Sequence, residues 1–215
     1  DMYLLSMREE TSRKEVVVTK VIDGDTLEFE GGVRARLANI NTPEKNEAGY
    51  EEAKKFLEKF LNKTVSIEEL GEDRYNRILV RIYSPDYVNL QIIQQGLGTK
   101  FLVDESELKE FAQAESFAVE NEKGLWKKSL YADCFSLEIF PEKEQLLIEN
   151  TCSNVNMNGF VIRDESRKKY KLTAVKLDRV TIHSGEGVYN ETDIFWQSAQ
   201  NIWNDDRDTA YLLDN

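Results

Sequence analysis

Apolar and polar positions alternate along the first part of the chain in a way that is typical of β-strands. Alternating or β-branched stretches predict five strands, at residues 16–22, 26–30, 33–40, 65–69 and 78–83. Three other segments place apolar residues at helical spacing, at residues 48–61, 88–95 and 105–121. Five strands with a helix after the third indicate an OB-fold, a five-stranded β-barrel, here with three helices.

The pattern of apolar and polar residues changes near residues 127–132, after which no good helical pattern is found. Short strand-like segments follow, at residues 135–140, 146–149, 159–163, 170–172, 179–183 and 210–213. Several short strands at regular spacing favour a β-sandwich. We therefore expect a protein that is mostly β with some α-structure, in two domains at residues 15–128 and 131–215.

Composition narrows the functional classes. Among 215 residues, 28 Lys and Arg stand against 40 Asp and Glu, which gives a formal net charge of −12. This acidity argues against a protein that coats nucleic acid with its whole surface. No apolar run approaches the ~18 residues that are needed to span a bilayer. Because the sequence opens at Asp1 rather than Met, we expect that an export signal or anchor has been removed upstream.

The candidate chemistry depends on carboxylates, amides and arginines, because His183 is the single histidine and two cysteines are too few for a zinc site. Polar residues that fall at the predicted strand ends or on the third strand are Asp25, Arg36, Asn41, Thr42, Glu44 and Arg77. These residue types offer hard oxygen ligands for Ca²⁺, a carboxylate that could activate water, and two guanidiniums that could hold a phosphate.

Each of these residues also has a purely structural interpretation. The sequence Asp-Gly-Asp is most often only a turn, and Asn41 with Glu44 matches a capping pair at the start of a helix. Arg36 lies five residues before Asn41, which places the two on opposite faces of a regular strand. A bulge or bend between them is required before both can enter one pocket.

Six stretches, in order along the chain, resemble the staphylococcal nuclease (thermonuclease) family. They cover roughly residues 15 to 128 and read VIDGDTLEF (21–29), VRARLANINTPE (33–44), GYEEAKKFL (49–57), DRYNRILVRIY (73–83), VNLQIIQQGL (88–97) and EKGLW (122–126). Any single stretch is a weak signal, whereas six in family order form a specific one. The resemblance implies a nuclease that cleaves DNA and RNA, preferably single-stranded or unwound, and leaves 3′-phosphates.

The resemblance also implies a role for each matched residue. Asp25, Asn41 and the backbone carbonyl of Thr42 would bind Ca²⁺, and Glu44 would activate the attacking water. Two arginines, Arg36 and Arg77, would hold the phosphate and stabilise the charge that develops in the transition state. Arg74 and Tyr75 match positions that contact a terminal nucleotide phosphate.

The chain departs from the family pattern at two places. The type nuclease has Asp where this chain has Asn41, so the metal site loses a negative charge and Ca²⁺ affinity should fall. The segment GTKFLVDES after Gly96 lacks the paired tyrosines that flank a bound base, and offers only Phe101. The rival hypothesis is a non-catalytic nucleic-acid or protein-binding module built on the same folds.

Residues 134–215 resemble the lamin-tail domain, an immunoglobulin-like β-sandwich. The matching segments are LLIENTCSNVNMNGFVIRDES (146–166), VTIHSGEG (180–187) and DIFWQSAQNIWNDDRDTAYLLD (193–214). Such domains are attached to secreted nucleases and hydrolases and are thought to aid attachment or protein contacts. The resemblance implies an unidentified protein or envelope partner and a secreted or cell-surface location. We expect Trp196 and Trp203 to pack in the core of this domain rather than to form an exposed platform.

The two cysteines lie on either side of a predicted hairpin. If residues 135–140 and 146–150 pair about Lys143, Cys134 and Cys152 are opposite one another and close enough for a disulfide. Because disulfides persist in oxidising compartments, this bond also predicts an exported protein.

Overall fold

The computed structural model describes residues 13–152, 155–173, 178–203 and 208–214. The chain divides between Lys127 and Lys128 into two compact units. Strands of the first unit are β1 (Lys14–Val21), β2 (Thr26–Phe29), β3 (Val33–Leu37), β4 (Ile40–Asn41), β5 (Thr64–Glu72), β6 (Ile78–Tyr83) and β7 (Thr99–Lys100). Its helices are α1 (Tyr50–Glu58), α2 (Val88–Gln94) and α3 (Leu108–Glu120).

Five of these strands close into a barrel in the order β1-β2-β3-β6-β5. The pairs are antiparallel except for β3 and β6, which run parallel. Register shifts between Val18 and Lys20 and between Glu69 and Gly71 mark bulges, which help a sheet to curve and close. The five-stranded barrel with three helices that the sequence predicts is therefore confirmed.

The barrel interior is filled by the residues that alternation assigns to the inward face. Buried side chains of the strands and of all three helices join one apolar cluster, which includes Val18, Leu27, Leu37, Ile67, Val80, Phe56, Ile92 and Phe111. Their alternation on the strands is what the period of two requires of a surface with one buried face. This core gives the rim of the barrel a rigid support.

The third strand is shorter than the sequence predicts. It ends at Leu37 rather than Ile40, because Asn39 adopts a left-handed conformation with φ of 67° and turns the chain. The side chain of Asn89, fully buried in α2, holds this turn by donating to the carbonyl oxygens of Ala38 and Val80, both at 3.0 Å. The chain resumes as β4, which forms a two-stranded ribbon with β7.

The first helix begins later than predicted. It starts at Tyr50, after Gly49 with φ of 86°, and not near Glu44. The interpretation of Asn41 and Glu44 as a helix-capping pair is therefore wrong, because the residues that follow Glu44 form a loop and not the first turn of a helix.

The described residues of the second unit form two sheets. Its strands are β8 (Phe135–Phe140), β9 (Gln145–Asn150), β10 (Val161–Arg163), β11 (Lys169–Lys171), β12 (Arg179–His183), β13 (Asp193–Phe195) and β14 (Tyr211–Leu213). One sheet has the order β13-β12-β9-β8 and the other β11-β10-β14. Side chains from both sheets, such as Ile148 and Ile162, meet in one apolar cluster. Trp203 is only 2% exposed and belongs to this cluster, so the prediction that it packs in the core is confirmed.

The sulfur atoms of Cys134 and Cys152 form a disulfide, and their Cα atoms lie 5.1 Å apart. The hairpin register differs from the predicted one, because Phe135 pairs with Asn150 and the loop Pro141–Glu144 is not centred on Lys143. The residue opposite Cys134 is thus Thr151, whose N–H donates to the carbonyl oxygen of Cys134 at 2.8 Å. No helix in the described part of the chain is both long and apolar enough to cross a membrane.

Candidate active site

Asp25 is the centre of a buried polar cluster at one end of the barrel. The residue directly precedes β2 and is only 4% exposed. Oδ1 accepts a hydrogen bond from the hydroxyl of Thr26 at 3.1 Å, and Oδ2 accepts one from the backbone N–H of Thr42 at 3.1 Å. Nη2 of Arg36 lies 3.5 Å from the same Oδ2. A single carboxylate therefore connects β2, β3 and the residue after β4.

Arg36 is held by acceptors that the turn at Asn39 brings to it. Nη1 donates to the carbonyl oxygen of Leu37 at 2.8 Å, and Nη2 donates to that of Ile40 at 3.0 Å and to Oδ1 of Asn41 at 2.5 Å. The bend that the sequence required between Arg36 and Asn41 is thus present. It brings both residues and Asp25 into one cluster.

Two glycines, Gly24 and Gly98, lie very close to Thr42, the third predicted metal ligand, and to its neighbour Asn41. A Cβ on Gly24 would lie 2.6 Å from Oγ1 of Thr42 and 2.6 Å from Cβ of Ala53. A Cβ on Gly98, the residue before β7, would lie 2.6 Å from the carbonyl oxygen of Asn41. Only glycine fits at these two positions without displacing the backbone that carries the candidate ligands.

Arg77 directly precedes β6 and is held by Asp73 of the same turn. Nε and Nη2 of Arg77 lie 2.8 and 2.7 Å from Oδ2 of Asp73, and Nη1 donates to Oγ1 of Thr26 at 3.3 Å. Burial opposes ionisation of Asp73, but hydrogen bonds from the backbone and side chain of Arg77 keep its pKa below the usual 3.8. Thr26 thus links Arg77 to Asp25.

Arg74 and Tyr75 form the exposed part of the same turn. The ring of Tyr75 is 62% exposed, and the guanidinium carbons of Arg74 and Arg77 lie 4.8 and 5.4 Å from its centroid. An exposed aromatic ring with two guanidiniums close to it can stack on a base and attract phosphate.

Glu44, the predicted general base, is exposed and lies two residues after Thr42. Its backbone N–H donates to Oε2 of Glu47 at 2.8 Å, and the N–H of Glu47 donates to the carbonyl oxygen of Glu44 at 2.9 Å. The two glutamates thereby form a closed turn after Pro43. This turn fixes the backbone of Glu44, an exposed residue.

The donor set suits a hard divalent cation. Asp25, Asn41 and Thr42 supply one carboxylate, one amide and one backbone oxygen, which are the ligand types that Ca²⁺ prefers. Burial and the neighbouring Asp25 carboxylate raise the pKa of Asp23, and a bound cation would relieve that repulsion. Within the described residues, no group of three or more His, Cys, Asp and Glu side chains is arranged to hold a metal ion. The site has therefore fewer anionic ligands than most Ca²⁺ sites.

Several residues of this site were not assigned a role by the sequence. Thr26 connects Asp25 with Arg77, Asp73 holds Arg77, and Glu47 holds the backbone of Glu44. Thr26 and Asp73 do lie within the stretches VIDGDTLEF and DRYNRILVRIY, so adjacency to the predicted ligands was the available signal. Glu47 carries no such signal, because its role depends on a loop conformation.

The barrel and the polar cluster at its rim define a nuclease-like OB-fold domain, and comparison with known proteins agrees. The family described as "Staphylococcal nuclease homologue" matches residues 34–128. An uncharacterized endonuclease of Haemophilus influenzae is 33% identical over 115 residues, which are 51% of this chain and 64% of that protein. An uncharacterized endonuclease of Escherichia coli is 30% identical over 114 residues, which are 51% of this chain and 74% of that protein. The chain belongs to the staphylococcal nuclease homologue family.

A further relative, the protein ParB of Escherichia coli, is 32% identical over 95 residues, which are 38% of this chain and 54% of ParB. The chain thus spans about two thirds of the Haemophilus influenzae protein and about half of ParB. These similarities concern only about half of this chain or less.

Proposed function

We propose that the protein is a Ca²⁺-dependent nuclease that hydrolyses phosphodiester bonds of DNA and RNA and leaves 3′-phosphates. The observation that carries this proposal is the hydrogen-bonded cluster of Asp25, Arg36 and Asn41 at the barrel rim. A buried carboxylate, hard oxygen donors and an oriented guanidinium are the components of metal-assisted phosphodiester hydrolysis. Membership of the nuclease family supports the same activity.

The oxygen donors of Asp25, Asn41 and Thr42 would hold Ca²⁺. When bound, the ion would supply positive charge next to the phosphate and stabilise negative charge in the transition state. The residues around this site are fixed beforehand, since Oδ2 of Asp25 accepts the N–H of Thr42 and Gly24 and Gly98 pack closely against Asn41 and Thr42. Calcium binding would then require little reorganisation of the backbone.

The two arginines would hold the phosphate. Arg36 is oriented by the carbonyl oxygens of Leu37 and Ile40, and Arg77 is oriented by Asp73. Guanidiniums that are oriented before the substrate arrives stabilise developing charge without a reorganisation cost. Glu44 is exposed and can accept a proton from a water molecule that attacks in line with the leaving oxygen.

The exposed turn supports a preference for single-stranded or unwound substrate. The ring of Tyr75 is 62% exposed and lies close to the guanidiniums of Arg74 and Arg77. Bases of a duplex are stacked on one another, so a nucleotide can stack on this ring only at an end or where the strands have separated. The net charge of −12 further disfavours tight binding to duplex in the absence of Ca²⁺.

For the second unit we propose a lamin-tail domain of immunoglobulin-like type that attaches the nuclease to a protein or envelope partner. Two facing sets of strands that share one apolar cluster support this assignment. The disulfide between Cys134 and Cys152 supports a secreted or cell-surface location, because such bonds persist in oxidising compartments.

The activity is tested by digestion of single-stranded DNA, duplex DNA and RNA across a Ca²⁺ titration, with and without chelator. We expect cleavage that requires Ca²⁺ and falls at least about a hundredfold in Glu44→Gln, as for the loss of a general base. Glu52→Gln, at an exposed glutamate of α1, is the matched control and should keep full activity. A 5′-labelled oligonucleotide whose products shift in mobility after phosphatase treatment identifies 3′-phosphate ends. Wild-type protein that cuts no substrate at any Ca²⁺ concentration contradicts the proposal.

A non-catalytic nucleic-acid-binding or protein-binding module is the second candidate. The observation that favours it is the bond from Arg36 to Asn41, which places a guanidinium between two of the three candidate ligands. Submicromolar binding of nucleic acid in chelator at physiological salt, without cleavage after Ca²⁺ is added, supports the nucleic-acid-binding form. Metal-dependent binding followed by cleavage supports the nuclease.

A further inference from the structure

A carboxylate at the start of α3 contacts the turn that shapes the site. Oε2 of Glu107 accepts hydrogen bonds from Nδ2 of Asn39 at 2.6 Å and from Nε and Nη2 of Arg81 at 2.9 and 2.7 Å. Arg81 lies on β6 and also pairs with Glu68 of β5 at 2.8 Å. Glu107 therefore ties the turn at Asn39 to the wall of the barrel.

A second carboxylate lies two turns further along α3. Oε1 of Glu115 accepts the backbone N–H of Lys100 at 3.1 Å, and Oε2 lies 3.3 Å from the ammonium of the same residue. Lys100 belongs to β7, so this one side chain binds both the backbone and the charge of that strand. The spacing of eight residues places Glu107 and Glu115 toward the same side of the helix.

The two carboxylates contact the β4–β7 ribbon on either side: Glu107 contacts the turn that leads into β4, and Glu115 contacts β7. In the β4–β7 ribbon, Ile40 pairs with Lys100 and Asn41 pairs with Thr99. The N–H of Phe101 donates to the carbonyl oxygen of Asn39 at 2.9 Å and closes the end of the ribbon that α3 contacts. Asn41 thus lies two residues after Asn39, which Glu107 contacts, and pairs with Thr99, the neighbour of Lys100, which Glu115 contacts.

These contacts are poorly hydrated. The side chains of Glu107 and Arg81 are 14% and 13% exposed, and those of Glu115 and Lys100 are 10% and 14% exposed. Removal of one partner from such a pair leaves a charge with little access to water, which is strongly unfavourable. The ribbon consists of only two residue pairs, so its own hydrogen bonds hold it weakly. The contacts with α3 therefore help to fix its position.

We propose that Glu107 and Glu115 are positioning residues for the nuclease reaction, which act through the β4–β7 ribbon on Asn41 and, through the turn at Asn39, on Arg36. This inference rests on the proposed nuclease function. α3 sets the distance between the candidate metal donors and the guanidinium, while it contributes no group of its own to the substrate. Misplacement of reacting groups by a fraction of an ångström lowers turnover more than it lowers binding.

The first test compares Glu115→Ala with Glu110→Gln, a matched control at an exposed position of the same helix. Hydrogen–deuterium exchange without substrate or metal reports on the ribbon directly. In Glu115→Ala, we expect exchange to rise in the peptides that span residues 37–44 and 97–103, with the strands β1 and β5 unchanged. We expect kcat to fall about tenfold to a hundredfold, while KM changes less than about threefold. The control should match the wild type in every measurement.

A rescue variant separates positioning from helix stability. Glu115→Gln alone leaves the Lys100 ammonium facing an amide, whereas Glu115→Gln with Lys100→Met removes the charge and keeps an acceptor for the backbone N–H. The double variant should recover wild-type exchange in the ribbon and at least about half of the wild-type kcat, and Glu115→Ala should not. Glu107→Gln should likewise raise exchange in residues 37–44 and lower kcat.

Ribbon exchange that stays at the wild-type level in Glu115→Ala overturns the inference. So does raised exchange with an unchanged kcat, since the helix would then stabilise the ribbon without effect on the reaction. An inactive wild type refutes the proposed function instead, and the exchange measurement alone then decides whether the two carboxylates position the ribbon.

Discussion

Arg36 donates a hydrogen bond of 2.5 Å to Oδ1 of Asn41, five residues further along the chain. The same Nη2 atom lies 3.5 Å from Oδ2 of Asp25. A permanent positive charge therefore stands beside two of the three oxygen donors proposed for Ca²⁺. Because Asn41 is neutral, Asp25 is the only charged group among the three proposed ligands that attracts the metal against the guanidinium.

Replacement of Asn41 by Asp should strengthen Ca²⁺ binding, because it adds a negative charge to the donor set at nearly the same size. Two unit charges a few ångströms apart at a protein surface interact by several kcal/mol, so we expect affinity to rise on the order of tenfold or more. Calorimetric titration of Ca²⁺, with no nucleic acid present, measures the change. Asn46→Asp, in the exposed loop before α1, is the control for a general effect of charge. Equal affinities for Asn41→Asp and wild type would show that Asn41 does not bind the metal.

Asp73 should stabilise the protein in a pH-dependent manner through its pair with Arg77. Its folded-state pKa lies below 3.8, so its contribution is complete above pH 3.8 and is lost as pH falls through the lowered value. Urea unfolding measures the free energy of unfolding of the wild type and of Asp73→Asn. The difference between the two free energies should be constant near neutral pH and become smaller in acid. If the difference in the free energy of unfolding grew below pH 3.8, Asp73 would not stabilise the protein through its pair with Arg77.

Asp73→Asn should also slow cleavage. Arg77 would keep its charge but lose the carboxylate that fixes Nε and Nη2, so we expect kcat to fall several-fold with little change in the overall fold. Steady-state kinetics on an oligonucleotide measures this.

The barrel was predictable from sequence because its strands have one buried face. The alternation at residues 26–30 and 78–83 places β2 and β6 within a residue or two of their observed ends. The early end of β3 was not predictable in the same way. It depends on Asn39, whose left-handed conformation is held by Glu107 and Asn89, both distant in sequence.

In the site, too, the features that depend on neighbouring residues were predictable, and those that depend on residues far apart in the sequence were not. The residues Asp25, Arg36 and Asn41 were found by their place in short motifs, and the bend that unites them was inferred as a requirement. Which groups orient them was not accessible, because Glu107 and Glu115 lie in an ordinary amphipathic helix pattern. In the second unit, the strand β13 (Asp193–Phe195) was not predicted from the sequence.

Gly98→Ala should damage the site without affecting the rest of the barrel. The new Cβ would lie 2.6 Å from the carbonyl oxygen of Asn41 and 3.2 Å from Cγ2 of Thr42, so β4 or the segment before β7 must move. We expect about a tenfold or greater loss of kcat/KM, because both affected residues are proposed metal ligands. Gly185→Ala is the matched control, since a Cβ there meets no atom within 4 Å. Full activity of Gly98→Ala would show that the ribbon yields to the extra methyl group.

The disulfide should stabilise the second unit selectively. It joins residues 18 positions apart, a loop for which chain entropy gives about 3 kcal/mol of stabilisation. The double substitution Cys134→Ala and Cys152→Ala should lower the free energy of unfolding of this unit by about that amount. In a Trp126→Phe background, which removes the tryptophan of the first unit, fluorescence of Trp196 and Trp203 follows the transition, and exchange in β1 and β5 should not change. Reduced wild type should resemble the variant, because both lack the same cross-link. Thiol labelling of denatured, unreduced protein provides the decisive control, since two reactive thiols would show that the bond does not form and would remove its support for an exported protein.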